Sequence, residues 1–130
     1  MNLVSLPITA IYAALSAFLV IALAANVVRF RLSKHVSLGD GGHKEGSRAI
    51  RAHGNTVEYV PLALILMALL ELNGASDTAL HIYGILLVGG RLLYSYGLLF
   101  PKPSANLPRQ LGVLSSWIVI VAAGVQLLII

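Results

Sequence analysis

With 130 residues, 58% of them hydrophobic and only 11% charged, the chain is far from the roughly 25% charge of a soluble domain. The net charge of +4 does not point to nucleic acid, because six of the nine Lys and Arg lie between Arg29 and Arg51, as a membrane topology signal does. The absence of cysteine excludes a disulfide framework, a thiolate metal site and a cysteine nucleophile.

The first apolar segment, predicted over residues 3–28, is long enough to cross a hydrocarbon core of roughly 30 Å. Its small residues, among them Ala13, Ala17 and Ala24, permit close helix packing. Ala22-Leu23-Ala24 faintly resembles a signal-peptidase site. The preceding residues lack a basic n-region, however, and the apolar run exceeds a leader's core, so a span is expected. A polar stretch follows with Arg29, Arg31, Lys34, His35 and Lys44. Its Gly39-Asp40-Gly41-Gly42 lacks the Gly-Lys-Ser/Thr ending of a phosphate cradle and reads as a polar loop.

The second segment is predicted over residues 47–73 and is unlike the others. It opens with Arg48, Arg51, His53, Asn55, Glu58 and Tyr59 before turning apolar. On a helix, Arg51, Asn55 and Glu58 fall within about 60° of one another, with Arg48 beside them. A polar face thus descends from the membrane surface, and ionisable groups at depth are functional candidates by default. Pro61 removes a backbone hydrogen bond next to this face and predicts a kink. A short acidic turn with Glu71 and Asp77 leads to the third segment, residues 78–100, with Arg91, Tyr94 and Tyr96. The fourth, residues 107–130, is apolar apart from Trp117 and Gln126, and Arg109 stands near its start.

The first and third connections are basic and the second is not. Both termini are therefore expected outside, with loops 29–47 and 100–107 cytoplasmic. The whole chain, 1–130, reads as one all-α domain: an integral membrane four-helix up-down bundle. Counting about 1.5 Å per residue, Glu58 lies about 15 Å below Arg48 and Arg91 about 12 Å from the end of its own helix. The matched depth predicts a Glu58–Arg91 ion pair. The same arithmetic puts Arg51 about 10 Å from Glu58, too far for a close pair. Such charges can serve as polar glue between helices. A graded row of three exceeds what glue requires and suggests a charged ligand. His35, His43 and His81 have no ligand spacing, so no metal is expected.

The run Arg51-Ala52-His53-Gly54-Asn55-Thr56-Val57-Glu58-Tyr59-Val60-Pro61 resembles the second-helix signature of the MAPEG family, membrane-associated proteins in eicosanoid and glutathione metabolism. That signature is Arg-Ala-x-x-Asn-x-x-Glu-x-x-Pro. The likeness spans the chain and is nearest to the small bacterial inner-membrane branch. It implies a homotrimer that binds glutathione between subunits near the cytoplasmic side. Arg51, Asn55, Glu58 and Tyr59 would hold the tripeptide, with Arg51 on a carboxylate and Glu58 on the amino group. Arg31, in preference to Arg29, would match the arginine ending the first helix. Arg48, His53 and Arg91 would line the site, His53 as a polar liner rather than a base. Arg109 would stabilise the glutathione thiolate, since a neighbouring cation lowers a thiol pKa from about 8.5, and Tyr94 would donate a hydrogen bond. The family's second third-helix tyrosine falls near Leu98 here, with Tyr96 two places early, and the connection before Arg109 differs in length from some members.

The resemblance therefore implies a glutathione transferase or peroxidase acting on lipophilic electrophiles delivered by the bilayer. A non-enzymatic lipid- or ligand-binding member is the alternative, distinguishable by replacing Arg109. A small drug/proton exporter fits the size. A glutamate set among arginines, however, suits a fixed charge better than a cycling proton.

Overall fold

The computed structural model describes residues 5–101 and 106–130. Four helices account for nearly all of them: α1 (Pro7–Lys34), α2 (Lys44–Leu72), α3 (Asp77–Leu99) and α4 (Leu107–Ile129). Each is long and apolar enough to cross a membrane. Leu3, the expected start of the first span, and Lys102 in the third connection lie outside the described residues, and Ser5 and Leu6, which that span was expected to include, precede α1.

Hydrogen bonds at the helix ends show that the direction alternates. Glu71, at the end of α2, accepts the backbone N–H groups of Ile8 and Thr9 at the start of α1, at 3.0 and 2.8 Å. Those donors have no partner within their own helix, and a carboxylate there also suits the helix dipole. Tyr12 and His81 meet at 2.7 Å, so α1 and α3 begin at the same end. Near the start of α3, Tyr83 donates to Gln126 near the end of α4 at 2.7 Å. The bundle is thus up-down. α1 and α4 each pack on α2 and α3 and do not touch one another among the described residues.

The packing is closest where glycine replaces a side chain. The Tyr12 ring fills the place of a Cβ on Gly84. At the α3–α4 crossing, a Cβ on Gly112 would stand 2.5 Å from the Gly90 carbonyl oxygen. One apolar cluster, with Met67, Leu70, Leu80, Leu87 and Val119, fills the end where α1 begins. A smaller one, Leu23, Ala52, Tyr94 and Leu98, fills the loop-bearing end. Phe18, Ile21, Ile85, Val121 and Leu128 point outward, an apolar exterior that suits lipid rather than water.

Besides the start of α1, two boundaries differ from expectation by more than one residue. α1 continues past Val28 to Lys34, because Asn26–Lys34 contains no helix breaker, and it ends on His35 in a left-handed conformation (φ 56°). Arg29 and Arg31 are therefore helical, and Arg31 and Lys34 lie in the last turn, where cations suit the helix dipole. α2 begins at Lys44, three positions ahead of the expected Ser47, with Glu45 in its first turn. In the loop between them, Gly39, Gly41 and Gly42 adopt positive φ, and Asp40 accepts the Gly42 N–H at 2.8 Å. α2 stays helical through Pro61.

Candidate ligand site on the second and third helices

Arg91 is the most unusual side chain in the bundle, fully buried at 0% exposure between the two apolar clusters. Its Nη2 donates to the Gly112 carbonyl at 2.8 Å, and its Nη1 donates to Asn55 Oδ1. The guanidinium also lies over the rings of Tyr94 and Tyr59, 5.0 and 5.7 Å from their centroids. Its Nε has no partner among the described residues. The cation is held by carbonyl dipoles and aromatic faces, which attract a desolvated guanidinium.

Glu58 does not pair with Arg91, contrary to the expectation from matched depth. It accepts from Arg51 Nη2 at 2.7 Å, and both side chains are about half exposed. Seven residues advance a helix by about 700°, only about 20° short of two turns, so the two side chains stand one above the other. The long arginine spans the axial gap that the depth arithmetic treated as too wide. Pairing at the open face also avoids the desolvation of two charges that a buried pair would demand. Asn55, one turn before Glu58, takes the inward place.

The remaining predicted residues divide into four groups. Asn55 and Tyr94 are buried with Arg91, while Tyr59 and His53 are half-buried. Arg51 lines an open groove of about 370 Å³ with Gly39, Asp40, Ser47 and Ile50. Arg31 supports one wall of it by donating from Nε to the Gly39 carbonyl at 3.2 Å. Arg48 faces a different crevice, of about 190 Å³, shared with Asn26, Arg29, Glu45, Leu99 and Phe100. Arg109 is exposed on a third, of about 380 Å³, formed along α4 by Asn106, Gln110, Val113, Leu114 and Trp117. Within one chain, Arg109 and Arg51 thus line separate grooves. Leu98 is buried, and Tyr96 is exposed beside the Phe100 ring at 5.6 Å.

Three contributors escaped the sequence reading. Gly112 supplies a carbonyl to Arg91, and the only trace of that role is a small residue in an apolar helix. Asp40 and Ser47 line the Arg51 groove, but nothing in their spacing announces it.

The resulting arrangement presents an accessible guanidinium–carboxylate pair at the polar end of the bundle, backed by a buried Asn–Arg–Tyr layer. A planar carboxylate arriving from that side would find in Arg51 a bidentate donor already oriented by Glu58.

The MAPEG family profile matches residues 9–129. Inner membrane protein YecN of Escherichia coli strain K12 is 49% identical over 90 residues, which cover 69% of this chain and 69% of that protein. The protein of the same name from Escherichia coli O6:H1 strain CFT073 gives the same figures. No solved structure matches the chain significantly.

Proposed function

The chain belongs to the MAPEG family, and from that footing we propose that it binds glutathione and joins its sulfur to lipophilic electrophiles or uses it to reduce lipophilic peroxides. The observation that carries this reading is the half-exposed Arg51–Glu58 pair above the buried Asn55–Arg91 contact. A ligand carboxylate would displace Glu58 from Arg51. The freed Glu58 carboxylate would then face the ligand's amino group. Tyr59 and Tyr94 border the same layer, and Tyr94 also neighbours Arg51.

Thiol activation is assigned to Arg109, with Tyr94 as a secondary donor. In the transferase reaction the thiol proton leaves to water. The thiolate sulfur then bonds to the electrophilic carbon, and the leaving group departs with its electron pair. A cation beside the sulfur raises the thiolate fraction at neutral pH. Since Arg109 and Arg51 line separate grooves in one chain, the reading places them together in a homotrimer, with Arg109 of one copy against the Arg51 groove of the next. The basic loops face the cytoplasm, the source of glutathione, in a bacterial inner membrane like that named for the relatives.

The same separation of Arg109 from Arg51 favours one second reading, a ligand-binding protein without thiol chemistry. One set of measurements distinguishes them. In micelles, glutathione is expected to raise the unfolding midpoint and to support conjugation of a model aryl halide, and Arg51→Ala is expected to remove both. Arg109→Ala is expected to abolish conjugation while the thermal shift survives. A glutathione shift in the parent protein without conjugation selects the second reading, and absence of any glutathione shift refutes the first.

A further inference from the structure

The crevice that Arg48 faces lies apart from the groove of Arg51 and has a different chemistry. Three helices build it: Asn26 and Arg29 from α1, Glu45 and Arg48 from α2, Leu99 from α3 with Phe100 just beyond. Asn26 Oδ1 accepts from Arg29 Nη2 at 2.8 Å and from its Nε at 3.3 Å, which fixes that guanidinium over the opening. Glu45 approaches the same Nη2 at 3.5 Å, a loose and exposed contact. Arg48 is half-buried and has no hydrogen-bond or ion-pair partner among the described residues. Two guanidinium groups against one carboxylate leave a single positive charge in the crevice.

Its depth is that of lipid headgroups. α1 has 28 residues, about 42 Å of helix, which exceeds a hydrocarbon core of roughly 30 Å by about two turns. Arg29 and Arg48 each lie four or five positions inside a helix end, about 6–8 Å, on the basic side of the bundle. Beside them Leu99 and the exposed Phe100 ring form an apolar wall, and Tyr96 stands against that ring, as aromatic residues do at a membrane interface.

We propose that this crevice binds the phosphodiester of an anionic phospholipid, with Arg29 and Arg48 on the phosphate oxygens and the glycerol and upper acyl chain against Leu99 and Phe100. The single excess positive charge matches one phosphodiester. A zwitterionic headgroup brings its own cation and leaves that excess unneutralised. The apolar wall identifies the source as a lipid, because free phosphate gains nothing from Leu99 and Phe100. The site does not depend on glutathione binding.

The test is titration of the purified chain in neutral detergent micelles, without glutathione, following the unfolding midpoint. Phosphatidylglycerol is expected to raise the midpoint saturably, while phosphatidylcholine and inorganic phosphate leave it in place. Arg48→Gln and Arg29→Gln are each expected to weaken the apparent affinity about fivefold, or about 1 kcal/mol at 1.4 kcal/mol per tenfold. Lys34→Gln, on the same side but outside the crevice, is expected to leave it unchanged. If Arg48→Gln does not fold, Arg29→Gln, at a more exposed position, carries the test. Equal stabilisation by phosphatidylcholine, stabilisation by phosphate alone, or equal weakening by Lys34→Gln overturns the proposal. So does unchanged affinity in the crevice variants.

Discussion

An arginine at the centre of a transmembrane helix costs about 2.5–3.5 kcal/mol even where it can reach toward water. Arg91 is fully buried and faces no carboxylate. It is tolerated because Asn55 and the Gly112 carbonyl take its hydrogens and Tyr94 and Tyr59 cover its faces. The energetic partner of Arg91 is therefore Asn55, and a double-mutant cycle should show it. Asn55→Ala and Arg91→Met are expected to couple by at least about 1 kcal/mol, since a lone Asn55→Ala strands a buried charge. Glu58→Gln and Arg91→Met should couple by less than about 0.5 kcal/mol, whereas the depth-matched ion pair requires strong coupling. Denaturation in micelles reads both. The residues of this layer were legible in the sequence, since polar groups at 3.6-residue spacing in an apolar run are hard to miss. Their pairing was not. An axial distance says little about reach when two side chains share a face and one of them is as long as arginine.

At the scale of the helix, what holds Arg91 is an absence. Gly112 lets α4 approach α3 until its own carbonyl meets the guanidinium, and a Cβ there would stand 2.5 Å from the Gly90 oxygen and 2.6 Å from Tyr94 Cβ. Neither obstacle is a flexible side-chain tip. Gly112→Ala should thus separate the helices and leave Arg91 Nη2 unpaired, a loss of more than about 2 kcal/mol. Gly89→Ala is the matched control: a Cβ there meets nothing within 4 Å. Relief of glycine's helix penalty should make it neutral or stabilising by up to about 1 kcal/mol. Equal effects from the two substitutions would remove the close crossing from the account. Sequence alone treats both glycines as small residues in an apolar helix, because helix–helix distance is a tertiary property. It also located every helix, but it ended α1 too early by taking Arg29 and Arg31 as its close. Basic residues are good helix formers, and chain reversal waits for His35 and the glycines that follow.

For the molecule as a whole, the packing and the charge behave differently. Apolar clusters fill both ends of the bundle, and the far end is tied by neutral and acidic contacts from Glu71, Tyr12, His81 and Tyr83. The basic residues gather at the other end, in the last turns of α1 and the first turns of α2. Nothing in the apolar packing selects which end faces the cytoplasm, so that choice falls to the basic cluster, whose transfer across the membrane is disfavoured. This orientation is an expectation from the charge distribution in the sequence. The chain has no cysteine, so single cysteines report on it cleanly. Ser37→Cys, in the exposed loop after α1, should resist a membrane-impermeant maleimide in intact cells and react once the cells are permeabilised. Thr78→Cys, exposed in the first turn of α3, should react in intact cells. The reverse pattern would put the Arg51 groove on the side without cytosolic thiol, and a glutathione-dependent function would lose its supply of co-substrate.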